Sequence, residues 1–505
     1  MLNYVLYHGF KRIKNNSKYV SLFCMFDFFS LMYLMDFINK KLGEFLRKGE
    51  LSMTVTRNLT KGKPAKLILL FTIPLLIGNI FQQFYSIADT FIVGRTIGVN
   101  ALAAVGCTGS IMFLILGFAQ GSTAGLSIIT AQKFGAEDTK GVKESYVAGI
   151  AISMIVTIVL TTISTIFARP ILVLMNTPPE IIDDAYRFVF VIFLGIIASM
   201  FFNFFSNIIR ALGDSKTPLV YLLVACILNV ILEYAFILIF KMGVTGAACA
   251  TVIAQGVSAL LCMWHIKKNL PILKLKKNDL KISKEVFLEH IKISLPMGFQ
   301  ASIIAIGAII LQFALNSLGA TAVAAYTAAQ KIDAIAVQPM MSFGITMATY
   351  TAQNYGAKKI NRIREGVKQC AIISVTFSII VGLINIFGGH FLTGLFVGYD
   401  QTEVISLSQI YLTSNGSFYF LLSLLFIYRY TLQGLGQSFI PTVAGIMELI
   451  MRSFAAIILS KPLGFLGVSL SNPLAWLGAC IPLIIAYNFT FKQINDEYLN
   501  KAEAS

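Results

Sequence analysis

Apolar stretches of twenty or more residues recur along this 505-residue chain, and each is long enough to cross a bilayer as a helix. Hydrophobic residues make up 56% and charged residues 13%, where a soluble chain carries about 25% charged. The expected class is therefore an all-α polytopic membrane protein. The net charge of +16 (40 Lys+Arg minus 24 Asp+Glu) is not that of a nucleic-acid binder, because the basic residues cluster in short loops between apolar spans. Seven cysteines without CxxC spacing and four histidines (His8, His265, His290, His390) without ligand spacing give no metal centre. No nucleophile motif sits at an interface. The chain reads as neither an enzyme nor a cofactor carrier.

Twelve spans are predicted, near 67–92, 102–130, 145–168, 186–209, 218–240, 244–265, 292–316, 324–350, 368–393, 408–432, 440–460 and 464–490. Loops carrying Lys133/Lys140/Lys143, Arg210/Lys216, Lys267 to Lys292 and Lys358/Lys359/Arg362/Arg364 fall on one side; the alternate loops hold Glu180/Asp183/Asp184 or Asp400/Glu403. This asymmetry predicts cytoplasmic termini in the cell membrane. The organisation follows: an extension over 1–52 with the biological start expected at Met53, an N-lobe over 53–265, a basic cytoplasmic linker over 266–291, a C-lobe over 292–490 and a cytoplasmic tail over 491–505.

The lobes repeat each other. AQKFGA at 131–136 matches AQNYGA at 352–357, and 356 − 135 = 221 relates Gly135 to Gly356. The same offset lays IGVNALAAV (97–105) on LGATAVAAY (318–326). Pro74 pairs with Pro296, Gly213 with Gly436 and Pro218 with Pro441. Two six-helix lobes around a cleft are a transporter plan.

Within the first span Asn79, Gln82, Ser86 and Asp89 fall three, four and three apart, so they line one stripe of a helix. Asp89 is an ionisable carboxylate inside an apolar segment, where a charge costs roughly 2.5–3.5 kcal/mol unless it faces a bundle interior or a wet cavity. Pro74 weakens the helix ladder upstream and marks an expected hinge. A membrane helix with a hinge and a buried acid suggests a moving part that binds a cation.

The motifs IADTFIVGRTIGVNALAAVG, GSTAGLSIITAQKFGA, NIIRALGDSKTP, AAYTAAQKIDAIAVQPMMSFG and AQNYGAKKINRIREGV resemble the multidrug and toxic compound extrusion (MATE) family over roughly residues 54–490. The resemblance implies a monomeric antiporter that expels organic, cationic compounds in exchange for Na⁺ or H⁺ by rocking two lobes. It also implies a cation site built from Asp89, Asn229, Glu233 and Thr251, with Glu233 departing from the commoner aspartate. The residues support it independently: Asn229 and Glu233 share a helix face, and two facing carboxylates in low dielectric need a cation or proton between them. A lipid-linked-sugar flippase of the same wider superfamily is the alternative; it calls for a more basic cleft.

Candidates for lining a substrate cavity are Asn79, Gln82, Tyr85, Asn203, Asn207, Gln300, Gln330 and Asp333, with neutralisation of Lys331 the other reading for Asp333. Glu448 and Arg452, four apart with the acid first, are expected to form a structural ion pair.

Overall fold

The computed structural model describes residues 58–503; the expected extension at 1–52 lies outside the described residues. The chain forms α1 (Pro64–Thr96), α2 (Val99–Gly135), α3 (Thr139–Leu174), the pair α4a (Pro179–Leu194) and α4b (Ile196–Ala211), α5 (Lys216–Tyr234) and α6 (Gly243–Asn269). The second half contains α7 (Lys284–Ser317), α8 (Ala320–Gly356), α9 (Ile360–Val397), α10a (Thr402–Gly416) with α10b (Tyr419–Gly434), α11 (Phe439–Phe454) and α12 (Ser471–Glu503). Among the described residues nine helices are long and apolar enough to cross a membrane, or up to eleven when each bent pair counts as one span. The remaining helix, α8, has the length at 37 residues but carries Gln330, Lys331, Asp333 and Gln338. Each of the twelve expected spans thus has its helix or bent pair.

Two expectations are corrected in detail. The spans read as continuous over 186–209 and 408–432 are bent by 46° and 47°. The breaks fall at or beside Gly195 and Gly416, one repeat apart (416 − 195 = 221), and both glycines sit at close approaches. A Cβ at Gly195 would collide with Val252, and one at Gly416 would press on the Gly382 backbone. The linker between the halves is also shorter than 266–291, since α6 runs on to Asn269 and α7 begins at Lys284. Within it, Asp279 accepts from Lys143 Nζ at 3.2 Å and from the backbone N–H of Lys276 at 2.8 Å, and these bonds hold its carboxyl below the usual range.

Local chemistry explains where helices begin. Pro64 occupies the first turn of α1, where a missing N–H costs nothing. Asp138 caps α3 by accepting from the Gly141 N–H at 2.8 Å. Gly98 and Gly319, at the starts of α2 and α8, have φ of 124° and 95°, which a side chain would strain. The repeat extends to the unusual backbone: Glu137 and Lys358, 221 apart, both have φ of 58°. A single π-helical turn follows α5 (Ala235–Ile239) and α11 (Ala455–Leu459).

Packing between the halves runs from one end to about the middle of α2, where Ser302 Oγ donates to the Leu114 carbonyl at 3.1 Å. Ile128, Ile129 and Ala131 of α2 pack with Ile293, Met297, Ala348 and Ala352 of the second half. Ile68, Phe71 and Leu75 of α1 pack with Phe343, Met347, Tyr350 and Ile363. At the other end each half packs on itself: Ile92, Val93, Ala101 and Ala104 join only residues of the first half, and Leu311, Leu315, Ala322 and Ala325 only residues of the second. The halves are closed together where α1 begins and separate where it finishes. α1 and α2 each join both patterns: the start of α1 and the finish of α2 pack on the second half, the finish of α1 and the start of α2 on the first.

Candidate cation site between the first, fifth and sixth helices

The last three turns of α1 bring Tyr85 and Asp89 against α5 and α6. Asp89 and Glu233 meet carboxyl to carboxyl. As carboxylates neither can donate to the other: Asp89 Oδ1 and both Glu233 oxygens are buried without a hydrogen-bond partner. Asn229 stands one turn before Glu233 on α5. Its Nδ2 donates to Thr251 Oγ1 at 3.1 Å, and Thr251 in turn donates to its own Ala247 carbonyl. With that proton committed, the Tyr85 hydroxyl, 3.1 Å away, is the donor to Thr251 Oγ1. Asn229 Oδ1 is left buried and unpartnered.

Four oxygens, two from Glu233 and one each from Asp89 and Asn229, therefore lie in one neighbourhood with unused lone pairs. Oxygen donors of this kind suit a hard cation, and a single shared proton would instead turn the acid contact into a hydrogen bond. No lysine or arginine is among the groups acting on either carboxylate. The four expected cation-site residues are brought together, and Tyr85 belongs with them as a donor to Thr251 instead of lining a cavity.

The other candidates divide. Gln82 is exposed on α1. Asn79 reaches across to the second half, donating from Nδ2 to Ser342 Oγ at 3.0 Å, two turns along α1 from a Thr72–Thr346 hydroxyl contact at 2.8 Å. Pro74 is buried between these contacts, and α1 runs as one helix through it. Asn203 donates to its own helix at the Ser199 carbonyl, and Asn207 lies between Thr123 and Arg210.

Two of the cavity candidates in the second half are held by neighbouring helices. Gln300 is buried and accepts from Gln433 Nε2 at 2.8 Å, so it binds α7 to α10b. Asp333 is buried and accepts from the Tyr419 hydroxyl at 2.5 Å, while Asn385 Nδ2 donates to that hydroxyl at 2.9 Å. Lys331 is exposed and makes no ion pair with Asp333. Gln330 is exposed and donates to the Tyr326 hydroxyl at 3.3 Å. The expected Glu448–Arg452 pair is also corrected: Glu448 pairs with Arg429 on α10b. Two facing helices bring those groups closer than the neighbouring turns of one helix do. Arg429 was missed because its partner is nineteen residues away, beyond any helical spacing.

The MatE family matches residues 74–235 and 296–458, one copy in each half. The chain belongs to the MATE family. It is 30% identical over 307 residues to the Probable multidrug resistance protein YpnP of Bacillus subtilis (strain 168), covering 61% of this chain and 68% of that one. It is 27% identical over 407 residues to the Probable multidrug resistance protein YoeA of the same strain, covering 78% and 86%. A crystal structure of MATE in complex with MaL6 has the same fold, with a TM-score of 0.81 at 22% identity over 88% of this chain and all of that one. This MATE chain is thus a multi-pass membrane transporter and not an enzyme.

Proposed function

We propose that this MATE protein is a cation-coupled antiporter that exports organic, cationic compounds from the cytoplasm in exchange for Na⁺ or H⁺. The observation that carries the reading is the Asp89–Glu233 contact: two acids in a membrane interior with no basic residue to balance them. Such a pair needs a cation or a proton between its members. Filling it draws α1 onto α5 and α6; releasing it restores like-charge repulsion. Because α1 is tied to the second half by Thr72 and Asn79, ion occupancy biases how the halves sit against each other.

Sidedness follows from charge. Lys133, Lys140, Lys143, Arg210, Lys216, Lys358 and Lys359 lie at or next to the helix ends where the halves are closed together. On the positive-inside rule that end is cytoplasmic, as are both termini, and the arrangement is outward-open. The outer opening receives the ion, and an inward movement of one charge gains about 2.3 kcal/mol per 100 mV. One chain supplies both halves, so a monomer suffices. The names of YpnP and YoeA support drug-like cargo. The unbalanced acids favour cationic cargo over the anionic headgroup of a lipid-linked sugar.

Ethidium or norfloxacin transport in membrane vesicles under separately imposed Na⁺ and H⁺ gradients tests the proposal. One gradient is expected to drive export. Export indifferent to both would sink it.

A further inference from the structure

Where the halves close together, the doubled motif places two glutamines one repeat apart (353 − 132 = 221). Gln132, near the end of α2, donates from Nε2 to the Gly434 carbonyl at 2.8 Å; Gln353, near the end of α8, donates from Nε2 to the Ala211 carbonyl at 2.8 Å. Those carbonyls belong to the last residues of α10b and α4b, themselves equivalent in the repeat (434 − 211 = 223). Carbonyls in a final helical turn have no partner in their own helix, so each glutamine caps a helix of the opposite half. Glycines make the approach possible. A Cβ at Gly135 would run into the Gln353 carbonyl, and one at Gly356 into the Gln132 carbonyl.

The symmetry is broken in one respect. Gln353 Oε1 accepts from the Leu59 N–H at 2.9 Å, and Leu59 is buried. The Leu59 carbonyl accepts from Asn354 Nδ2, and the Thr60 carbonyl from Lys359 Nζ at 2.9 Å. Leu59 lies five residues before α1, the helix that carries Asp89. One glutamine therefore joins three parts: the second half through its own helix, the first half through Ala211, and the lead-in to α1 through Leu59.

We infer that Gln132 and Gln353 are positioning residues of the transport cycle: a two-fold latch that seals this end, with Gln353 also holding the lead-in to α1. Opening this end breaks both glutamine bonds to the opposite half, while the Leu59 N–H stays on Gln353 Oε1 and keeps the lead-in to α1 with the second half. The role in a cycle rests on the antiport reading; the latch itself does not.

Segment-resolved hydrogen exchange on the full-length protein in lipid nanodiscs tests the latch without cargo or an ion gradient. Q353E keeps an acceptor for the Leu59 N–H but loses the donor to Ala211; Q353L loses both; Q132E loses only the donor to Gly434. Exchange over 131–141 and 352–362 is expected to quicken about tenfold in all three variants. The stretch 58–63 stays protected in Q353E and Q132E and loosens in Q353L. Unchanged exchange in Q353E and Q132E overturns the latch. So does equal loosening of 58–63 in all three variants, or a uniform quickening that extends through α3. Vesicles that ignore both gradients while these exchange patterns hold would reject the antiporter and leave the latch standing.

Discussion

The two halves share a sequence pattern but differ in charge at corresponding positions. The Pro74/Pro296 offset carries Asp89 to Leu311 (89 + 222), and the Pro218/Pro441 offset carries Asn229 to Arg452 and Glu233 to Ala456 (229 + 223, 233 + 223). The Gly243/Gly464 pair, with φ of 58° and 56°, carries Thr251 to Asn472 (251 + 221). The first half holds two carboxylates and no cation; at the same places the second half holds no carboxylate and a fixed guanidinium. Arg452 is buried beside Tyr326, Tyr411 and Gly307. The two buried acids of the second half among the described residues are tied down, Glu448 by Arg429 and Asp333 by Tyr419. A repeated scaffold thus supports one half with an unmet demand for positive charge and one half that meets it from its own side chains. On the antiport reading, ion dependence belongs to the first half and the second half is the fixed reference against which α1 moves.

The largest expected effect is on the unbalanced pair. Asp89→Asn or Glu233→Gln should leave a folded protein by size-exclusion chromatography and abolish gradient-driven drug export; full export by either variant would remove the pair from the mechanism. Next is the buried ion pair of the second half. Arg429→Leu strands Glu448 and should lower stability by about 3–5 kcal/mol, read as a fall in melting temperature, whereas the paired replacement Arg429→Leu/Glu448→Leu recovers most of it. Asn229→Arg imposes the second half's solution on the first. This variant should fold, stop exporting and lose whatever dependence of melting temperature on Na⁺ or pH the parent shows; persisting dependence would break the comparison. The smallest effect is expected for Asp333→Asn, which keeps an acceptor for Tyr419. It should cost about 1 kcal/mol and leave export within twofold of the parent.

How much was legible follows from the range of each signal. Asp89, Asn229 and Glu233 could be read because each departs from an apolar background at helical spacing, and spacing along one helix survives folding. Tyr85 looked like cavity lining because a tyrosine in a membrane helix gives no sign of which neighbour takes its proton. Gln300, just after Pro296, and Asp333, one helical step from Gln330, stood out as polar residues in apolar spans, and a residue's own position does not show that Gln433 and Tyr419 hold them. Glu448 and Arg452 satisfied a local rule that a contact from another helix outweighed. The glutamines of the latch were visible as matching letters, but their function as caps depends on helices 302 and 142 residues away.

The sequence by itself determined the class, the twelve-span count and the internal duplication, because hydropathy and repeat offsets are properties of the chain read in order. It also determined that an acid sits in the first span. Tertiary structure alone decided which polar groups balance one another, where the halves touch and which end stands open. A side chain in a membrane interior cannot be satisfied by water, so its nearest partner in space governs its role, and that partner is chosen by helix packing.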